Sequence, residues 1–226
     1  MVEMNAIYIH GLGSGAATSA VKTISKILPQ YKWHPLEMNE NLKESVAVID
    51  AAVKELKPHV LMGTSLGGLY VIHSDLSEVP LCKRIICNPA CHIANDIREK
   101  IGFGVKEYFV PRQDGIQQYV LDEDVCRTFE RDSRLNLMTP GDASLNFAVF
   151  SIHDELIGPI GILENIAVCQ RLGYTILIDD KGGHRLDKNS LRKIRDEIFN
   201  TDFRMLKCKL PLCTYCKSSN FLILLQ

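Results

Sequence analysis

The stretch VLMGTSLGGLY, residues 60–70, places one serine among glycines directly after a short apolar run. Ser65 has Gly63 two residues before it and Gly67 two residues after it, which completes the pattern G-x-S-x-G. Because glycine loses more conformational entropy on folding than any other residue, this concentration indicates a backbone that must turn sharply. The flanking residues predict a buried strand before the serine and a helix after it. The stretch therefore predicts a strand–turn–helix unit that holds Ser65 in a strained backbone conformation.

Outward from this unit, apolar runs alternate with segments that have helical spacing. The runs predicted as strands are residues 5–11, 31–38, 59–63, 83–89, 146–152 and 174–180. The segments predicted as helices are residues 18–28, 41–57, 66–76, 156–173 and 188–199. Pro35 in the second run favours an edge strand. The alternation predicts βαβ units, and hence a three-layer α/β/α sandwich with a mostly parallel sheet.

The chain of 226 residues is long enough to form one domain with a sizeable core, which we predict to span residues 1–200. Residues 91–145 contain no predicted sheet strand, so they are predicted to form a short insertion that lies over one end of the sheet. Residues 201–226 follow the last predicted helix and belong to no βα unit. The role of this tail stays open.

The composition narrows the class of partner. Hydrophobic residues make up 46% of the chain and charged residues 23%, as in ordinary soluble domains. The net charge of −1 provides no basic field for nucleic acid or an anionic membrane surface. No run approaches the ~18 apolar residues of a membrane span, and the amino terminus lacks the features of a secretory signal. We expect a cytoplasmic protein that acts on a small molecule; the sequence does not indicate its oligomeric state.

Eight cysteines are many for a chain of this length. Without a secretory signal they are expected to be reduced thiols rather than a disulfide framework. Cys213 and Cys216 form a C-x-x-C pair, and Cys208 lies five residues before it. Because a structural zinc site normally needs four ligands in paired spacing, and no fourth ligand is evident, no metal site is predicted.

A serine nucleophile needs a base that removes its proton and a carboxylate that holds this base in the correct tautomer. After a strand–serine–helix turn of this kind, the acid and then the histidine follow along the chain. Asp154 comes just after the fifth predicted strand, and His184 follows the sixth on a glycine loop. Because parallel sheets bind ligands beyond the carboxyl ends of their strands, Ser65, Asp154 and His184 are predicted to meet there as a catalytic triad.

Several neighbouring residues are alternatives to these three or additions to the site. Glu155 is the second choice for the acid, since alternation along the chain would turn it away from the site. Asp187 is predicted to cap the last helix. His92 is a candidate for the substrate pocket, and His10 is expected to organise its own loop by hydrogen bonding rather than to act as a base.

Acyl transfer also needs two backbone N–H groups directed at the developing oxyanion. One is predicted to be the N–H of Leu66, immediately after the serine. The other is predicted to come from the loop HGLGSG, residues 10–15, whose glycines allow the backbone to approach closely. Leu12 is the preferred donor in this loop, and Gly13 is the alternative, with a further place in the substrate pocket.

Aromatic residues of the insertion are the remaining candidates for substrate binding. They are Phe103, Tyr108, Phe109 and Tyr119. They line part of an acyl pocket or form a small core of the insertion itself, and the sequence leaves both interpretations open.

Five short motifs occur along the chain in an order that resembles a known family. They are IYIHGLGSG (residues 7–15), GTSLGGLY (63–70), CNPA (87–90), HDELIG (153–158) and GGHRL (182–186). Over residues 5–199 the chain resembles the small YqiA-type bacterial esterases of the α/β-hydrolase superfamily. The segment EYFVPRQDGIQQYVLDED, residues 107–124, also resembles their insertion over the mouth of the active site.

This resemblance implies a compact α/β-hydrolase fold with Ser65, Asp154 and His184 as the triad and Leu12 and Leu66 as the oxyanion donors. It also implies hydrolysis of carboxylic esters or thioesters of small to medium acyl length, through an acyl-enzyme and without a cofactor. Where the family usually has a small polar residue near the histidine, this chain has Arg185, which would change access to the site or the charge of the substrate.

Two other functions stay open at this point. The same triad would also serve an acyltransferase or an amidase, because pocket shape selects the acceptor and the leaving group. A non-catalytic binding module on the same scaffold is the alternative from another class, since a fold does not by itself imply activity.

Overall fold

The computed structural model describes residues 4–131 and 143–200. Its main sheet has six strands, all parallel, in the spatial order β2-β1-β3-β4-β7-β8. They are β1 (Met4–Ile9), β2 (Tyr31–Leu36), β3 (Val60–Thr64), β4 (Lys83–Cys87), β7 (Asn146–Ser151) and β8 (Thr175–Asp179). A second sheet pairs β5 (Gly104–Glu107) with β6 (Gln118–Leu121) in antiparallel register. Each of the six predicted runs forms one strand of the main sheet, and β2, which carries Pro35, lies at its edge.

The helices lie between the strands, as the alternating pattern predicts. They are α1 (Ser19–Ile27), α2 (Leu42–Leu56), α3 (Leu66–His73), α4 (Ile93–Asp96), α5 (Glu123–Arg131), α6 (Gly158–Arg171) and α7 (Lys188–Ile194). The last of these continues into a π-type turn, Arg195–Phe199. In the described residues, side-chain oxygens cap four helices: Thr18 caps α1, Asn41 caps α2, Asp122 caps α5 and Asp187 caps α7. The predicted capping role of Asp187 is confirmed.

Successive side chains of the central strands alternate between two cores, one on each face of the sheet. In β1, Ile7 and Ile9 belong to the larger core with residues of α2, α3 and α6. Ala6 and Tyr8 belong to the smaller core with residues of α1 and α7. A parallel sheet that is buried on both faces requires near-continuous apolar strands, which explains the runs in the sequence. The three-layer α/β/α architecture predicted from the sequence is confirmed.

The predicted insertion, residues 91–145, consists of two parts within the described residues. One part packs into the larger core through Ile93, Ile97 and Cys126, all of which are buried. The other part is a hairpin, residues 104–121, whose Val105 and Val120 side chains are exposed. No strand of this segment joins the main sheet in the described residues. Residues 132–142 of the predicted insertion lie outside the described residues.

The predicted tail, residues 201–226 with Cys208, Cys213 and Cys216, also lies outside the described residues. The domain boundaries therefore stay predictions. The cysteines in the described residues are all free: Cys82, Cys87, Cys91, Cys126 and Cys169. Across residues 4–131 and 143–200, the helices all fall short of the length and apolar character that crossing a membrane requires.

Candidate active site

Ser65 lies at the turn between β3 and α3 with a φ of 53° and a ψ of −122°. This is a strained conformation for a residue other than glycine, and it is held from both sides. The Ser65 N–H donates to the Cys87 carbonyl at 2.9 Å, and the Ser65 carbonyl accepts from the Ala90 N–H at 3.1 Å. The segment that follows β4 therefore fixes the backbone of the serine turn, as the pattern of glycines led us to expect.

The two glycines of the G-x-S-x-G pattern are required because no space exists for a Cβ atom. A Cβ on Gly63 would lie 2.3 Å from the Gly67 carbonyl oxygen. A Cβ on Gly67 would lie 2.5 Å from the Ile9 carbonyl oxygen and 2.4 Å from that of His10. Helix α3 thus packs directly against the end of β1, which brings the loop after β1 to the serine.

That loop, residues 10–15, contacts the serine itself. A Cβ on Gly11 would lie 3.0 Å from the Ser65 Cβ and 3.5 Å from its Oγ. The N–H groups in the first turn of any helix lack intrahelical partners, and Leu66 begins α3. The backbone of Gly11 and the first turn of α3 therefore lie side by side at Ser65. The side chains of Leu12 and Leu66 pack in the larger core.

His10 fixes this loop from within the protein. The Met38 N–H donates to His10 Nε2 at 3.1 Å, so the proton resides on Nδ1, which donates to the Gly11 carbonyl at 2.9 Å. Burial lowers the pKa of His10 below its ordinary value, a shift that the nearby Glu37 carboxylate opposes. A neutral imidazole with both nitrogens occupied cannot serve as the catalytic base, which agrees with the structural role expected for His10.

Asp154 and His184 form a close pair beyond the ends of β7 and β8. His184 Nδ1 lies 2.8 Å and 2.9 Å from the two carboxylate oxygens of Asp154, which is buried. The N–H groups of Leu156 and Ile157 donate to Asp154 Oδ1 at 3.0 Å and 2.9 Å. These two donors orient the carboxylate just before α6 begins. Asp154 is thus held in the geometry that fixes the tautomer of a histidine.

Glu155 does not turn away from this region, so the prediction from alternation along the chain was wrong. Its Oε2 atom accepts the backbone N–H of His184 at 3.1 Å. The turn after β7 departs from strand alternation, so two consecutive acidic residues both reach the histidine loop. Asp154 binds the imidazole ring and Glu155 binds the backbone, which separates their roles.

Asn88 joins the histidine loop to the rest of the site, a role that was not predicted from the sequence. Its Nδ2 atom donates to the carbonyls of Gly183 and His184, each at 3.1 Å. Its Oδ1 atom accepts the Ser151 N–H at 2.8 Å. Asn88 has a φ of 46°, a left-handed conformation that asparagine adopts more readily than most residues. An Asn-Pro pair at the end of the predicted strand, residues 83–89, was the available signal.

The end of β4 and the segment after it therefore contact both halves of the candidate site. Cys87 and Ala90 bind the backbone of Ser65, and Asn88 binds the loop of His184. Among the hydrogen bonds of the described residues, none joins the Ser65 hydroxyl to His184. Catalytic hydrogen bonds are often long or misaligned without substrate, so this second contact of the triad stays a prediction.

The hairpin covers the loop after β1. The Phe109 N–H donates to the Gly13 carbonyl at 2.9 Å. A Cβ on Gly13 would lie 2.8 Å from the Tyr119 hydroxyl and 3.2 Å from the Phe109 ring. The Arg185 guanidinium lies 5.1 Å from the centre of the Phe109 ring and so connects the histidine loop to the hairpin.

The other candidates for substrate binding are Tyr108, His92 and Phe103. The Tyr108 hydroxyl donates to the Glu40 carboxylate at 2.9 Å, and its ring packs on Tyr119 with centroids 4.7 Å apart. His92 is exposed and directly precedes α4 without capping it. Phe103 is 51% exposed. Three of the predicted pocket residues lie together where the hairpin covers the loop after β1: Gly13, Phe109 and Tyr119.

Residues 5–139, more than half of the chain, match the family model described as Uncharacterised protein family (UPF0227). The chain belongs to this family. The resemblance to YqiA-type proteins that the sequence motifs indicated is confirmed. No protein with a curated function matched this UPF0227 member in sequence.

Solved structures show which fold this UPF0227 member has. Mouse alpha/beta hydrolase domain-containing protein 10 matches with a TM-score of 0.61 at 14% identity, covering 90% of both chains. Est1E from Butyrivibrio proteoclasticus matches with a TM-score of 0.58 at 16% identity, covering 88% of this chain and 89% of its own. Paleococcus ferrophilus monoacylglycerol lipase matches with a TM-score of 0.57 at 15% identity, covering 86% of this chain and 93% of its own. The α/β-hydrolase fold is thereby confirmed.

Proposed function

We propose that this UPF0227 member is a serine hydrolase that cleaves small to medium acyl esters or thioesters through an acyl-enzyme on Ser65. The observation that carries the proposal is the pairing of His184 with the buried Asp154, at the same sheet edge as a strained serine turn. The monoacylglycerol lipase among the structures of similar fold supports an ester as the substrate class.

In the proposed acylation step, His184 removes the proton of the Ser65 hydroxyl as the oxygen attacks the acyl carbonyl. Asp154 occupies Nδ1 of the imidazole, which leaves Nε2 as the basic nitrogen. The carboxylate then stabilises the imidazolium that forms. His184 returns the proton to the departing alcohol or thiol, and the acyl group stays on Ser65.

In the proposed deacylation step, water replaces the leaving group. His184 removes a proton from the water, the hydroxide oxygen attacks the acyl carbonyl, and the carboxylic acid leaves as Ser65 regains its proton. The nucleophile, the base and the oriented carboxylate all come from this chain, so the proposed reaction needs only the substrate and water.

The N–H groups of Leu66 and Leu12 are the proposed donors to the oxyanion, with Gly13 as the alternative in the second position. The proximity of Gly11 to the Ser65 side chain supports this assignment, since Leu12 directly follows Gly11 in the chain. Losing one oxyanion donor typically removes roughly 3–4 kcal/mol of transition-state stabilisation.

The proposed acyl site lies between the loop after β1 and the hairpin. Tyr119 and Phe109 cover Gly13, and this position supports their role in binding the acyl chain. Tyr108 supports the ring of Tyr119 and is proposed to contribute indirectly, while His92 is retained as a candidate at the margin of the site.

Turnover of nitrophenyl acetate, butyrate, octanoate and dodecanoate by the purified full chain tests the proposal. Ser65→Ala is expected to lower kcat by roughly 10⁵–10⁶-fold. Ser25→Ala is a matched control, because Ser25 lies in α1 and donates to the Val21 carbonyl. Equal turnover by the wild type and Ser65→Ala would exclude Ser65 as the nucleophile.

A fluorophosphonate probe distinguishes an enzyme from a binding module on the same scaffold, because only an activated serine reacts with it. Labelling at Ser65 that is lost in Ser65→Ala is expected. Oxygen esters, thioesters and amides with the same acyl chain, tested with and without an added alcohol acceptor, then separate an esterase or thioesterase from an amidase or an acyltransferase.

A further inference from the structure

A pocket of about 390 Å³ lies between α1 and α7, the two helices that pack in the smaller core. Within the described residues, four basic side chains and no acidic one line it: the lining residues are Thr23, Lys26, Ile27, Lys188, Arg192 and Arg195. This set shares no residue with the candidate active site. The volume falls within the range of small-molecule sites, so the pocket is large enough to hold a ligand.

Helical periodicity directs the basic side chains into this space. Lys188, Arg192 and Arg195 are separated by four and then three residues, so they follow one side of α7 and of the turn after it. Lys26 and Ile27 line the pocket from α1. Other residues of the two helices fill the smaller core: Ile24, Leu191 and Ile194. The basic side chains are therefore available to a ligand without loss of core packing.

Three of these cations have no close partner within residues 4–131 and 143–200. In that part of the chain, the side chains of Lys26, Lys188 and Arg192 make neither a hydrogen bond nor an ion pair. By contrast, Lys193 on the same helix forms an ion pair with Asp180 at 3.1 Å. The positive charge of the pocket is therefore largely uncompensated.

Two acidic residues directly adjoin the pocket cations along the chain, and both have other roles. The Asp187 carboxylate accepts the N–H groups that begin α7. The Asp196 carboxylate accepts from Arg195 Nε and Nη2 at 2.8 Å and 3.1 Å, and Arg195, with a smaller contribution from Arg192, lowers the pKa of Asp196. Asp196 therefore offsets one of the four positive charges.

We propose that this pocket binds a small molecule that carries a chain of two or three phosphate groups. The planar guanidinium of Arg192 matches phosphate oxygens in a bidentate arrangement, and Lys26 and Lys188 supply point charges. Lys188 and Arg195 lie roughly 10 Å apart along the helix direction, a span that suits a chain of phosphates better than a single one. Bound phosphates also relieve the repulsion between like charges that share a helix face.

The C-terminal segment of the chain itself does not suit this pocket in charge. Residues 201–226 contain four basic residues, Arg204, Lys207, Lys209 and Lys217, and one acidic residue, Asp202. A basic segment is repelled by a basic pocket, so the ligand comes from a separate, anionic molecule. The binding site does not rest on the proposed function.

Calorimetric titration of the purified full chain with inorganic diphosphate and tripolyphosphate tests the proposal, at fixed ionic strength and without divalent cations. We expect saturable one-to-one binding that weakens as salt is added. Citrate is the matched anion, since its charges branch from a compact skeleton instead of lying along a chain, and it is expected to bind at least several-fold more weakly. Absence of binding at millimolar tripolyphosphate, or equal affinity for citrate and diphosphate, would overturn the proposal.

Lysine variants of α1 separate the pocket from the net charge of the protein. Lys26→Gln is expected to weaken tripolyphosphate binding roughly tenfold, because a charge-assisted hydrogen bond is lost. Lys22→Gln removes the same charge from an exposed position on α1 that does not line the pocket, and its affinity is expected to stay within about twofold of the wild type. Equal affinities of the two variants would refute the site.

Arg192→Gln tests the other wall in the same titration and is expected to weaken binding at least as strongly as Lys26→Gln. Both residues are exposed, so unliganded melting temperatures close to that of the wild type are expected. An affinity of Arg192→Gln equal to that of the wild type would remove α7 from the site and refute a pocket between the two helices.

Two further titrations distinguish the sources of such phosphates. Tighter binding of ATP than of tripolyphosphate would assign the apolar wall at Ile27 to a nucleoside, whereas equal affinity would assign the pocket to the inorganic chain. Phosphatidylglycerol vesicles provide the membrane arm. Sedimentation with these vesicles that is lost in Lys26→Gln, in a protein that binds neither soluble phosphate, would overturn the pocket in favour of a lipid-binding surface.

Discussion

The serine turn and the hairpin lie on two sides of the loop after β1, yet they are held in different ways. Backbone hydrogen bonds on both sides of Ser65 fix the serine turn, and no side chain fits at the positions of Gly63 and Gly67. Side-chain contacts hold much of the hairpin, including that of Tyr108 with Glu40. Backbone contacts do not depend on residue type, so the geometry of the site can persist while substitutions reshape the mouth.

Both regions meet at residues 37–40. From the serine side, His10 accepts the Met38 N–H. From the hairpin side, the Arg112 guanidinium donates to the Met38 carbonyl, and the Gln113 N–H donates to Glu37 Oε1. This short segment after β2 therefore sets how the hairpin sits over the loop after β1.

The largest expected effect distinguishes the role of Asp154 from that of the adjacent Glu155. Asp154→Asn is expected to lower kcat for a nitrophenyl ester by roughly 10⁴-fold, because an amide favours the wrong imidazole tautomer. Glu155→Gln is the matched control, since its amide oxygen can still accept the His184 N–H, and its kcat is expected to stay within about tenfold of the wild type. Similar losses in both variants would show that Glu155 shares the role of Asp154.

The second prediction compares glycines of the two regions. Gly67→Ala is expected to lower the free energy of unfolding by roughly 3 kcal/mol or more, because its Cβ would meet two backbone carbonyls. Gly115→Ala, in the hairpin, has open space but a φ of 80°, so a cost of about 1–2 kcal/mol is expected. Urea denaturation measures both. Equal costs would contradict the contrast between a tightly packed serine turn and a hairpin with space.

The third prediction concerns the side-chain contacts of the hairpin. Tyr108→Phe removes the hydrogen bond to Glu40 and is expected to lower the free energy of unfolding by roughly 1–2 kcal/mol. Because the change loosens the mouth and leaves the serine turn intact, KM is expected to change more than kcat. Tyr31→Phe, in the smaller core, is the control. A loss of kcat at constant KM would place Tyr108 in the chemistry instead.

The smallest expected effect is a pH dependence of stability that arises from His10, which accepts the Met38 N–H of the segment that joins the two regions. Burial lowers the pKa of His10, so the unfolded chain binds its proton more strongly than the folded one. The stability that His10 contributes is therefore complete above pH ~6.5 and declines as the pH falls toward the folded pKa, by at most ~1.4 kcal/mol per pH unit.

Urea denaturation of the wild type and His10→Asn between neutral and mildly acidic pH checks this slope. Asparagine can still donate to the Gly11 carbonyl but does not titrate. We expect the stability difference between the two proteins to shrink as the pH falls. A difference that is constant across this range would refute the role of His10.

Much of the fold and part of the site follow from local sequence. Each strand of the main sheet appears as an apolar run because burial on both faces leaves little choice of residue. The G-x-S-x-G pattern located Ser65 because only glycines fit two residues before and two residues after it, and strand ends located Asp154 and His184. The roles of Glu155 and Asn88 did not follow, because each depends on a loop that is distant in sequence.

The sequence alone determined the order of strands and helices, the position of the serine turn and the family of the protein. Only the tertiary structure decided that Asn88 supports the histidine loop and that Met38 joins two regions. The physical reason is the range of the interactions. Burial and backbone geometry leave periodic local patterns, whereas a hydrogen bond between distant segments leaves no mark on the residues around it.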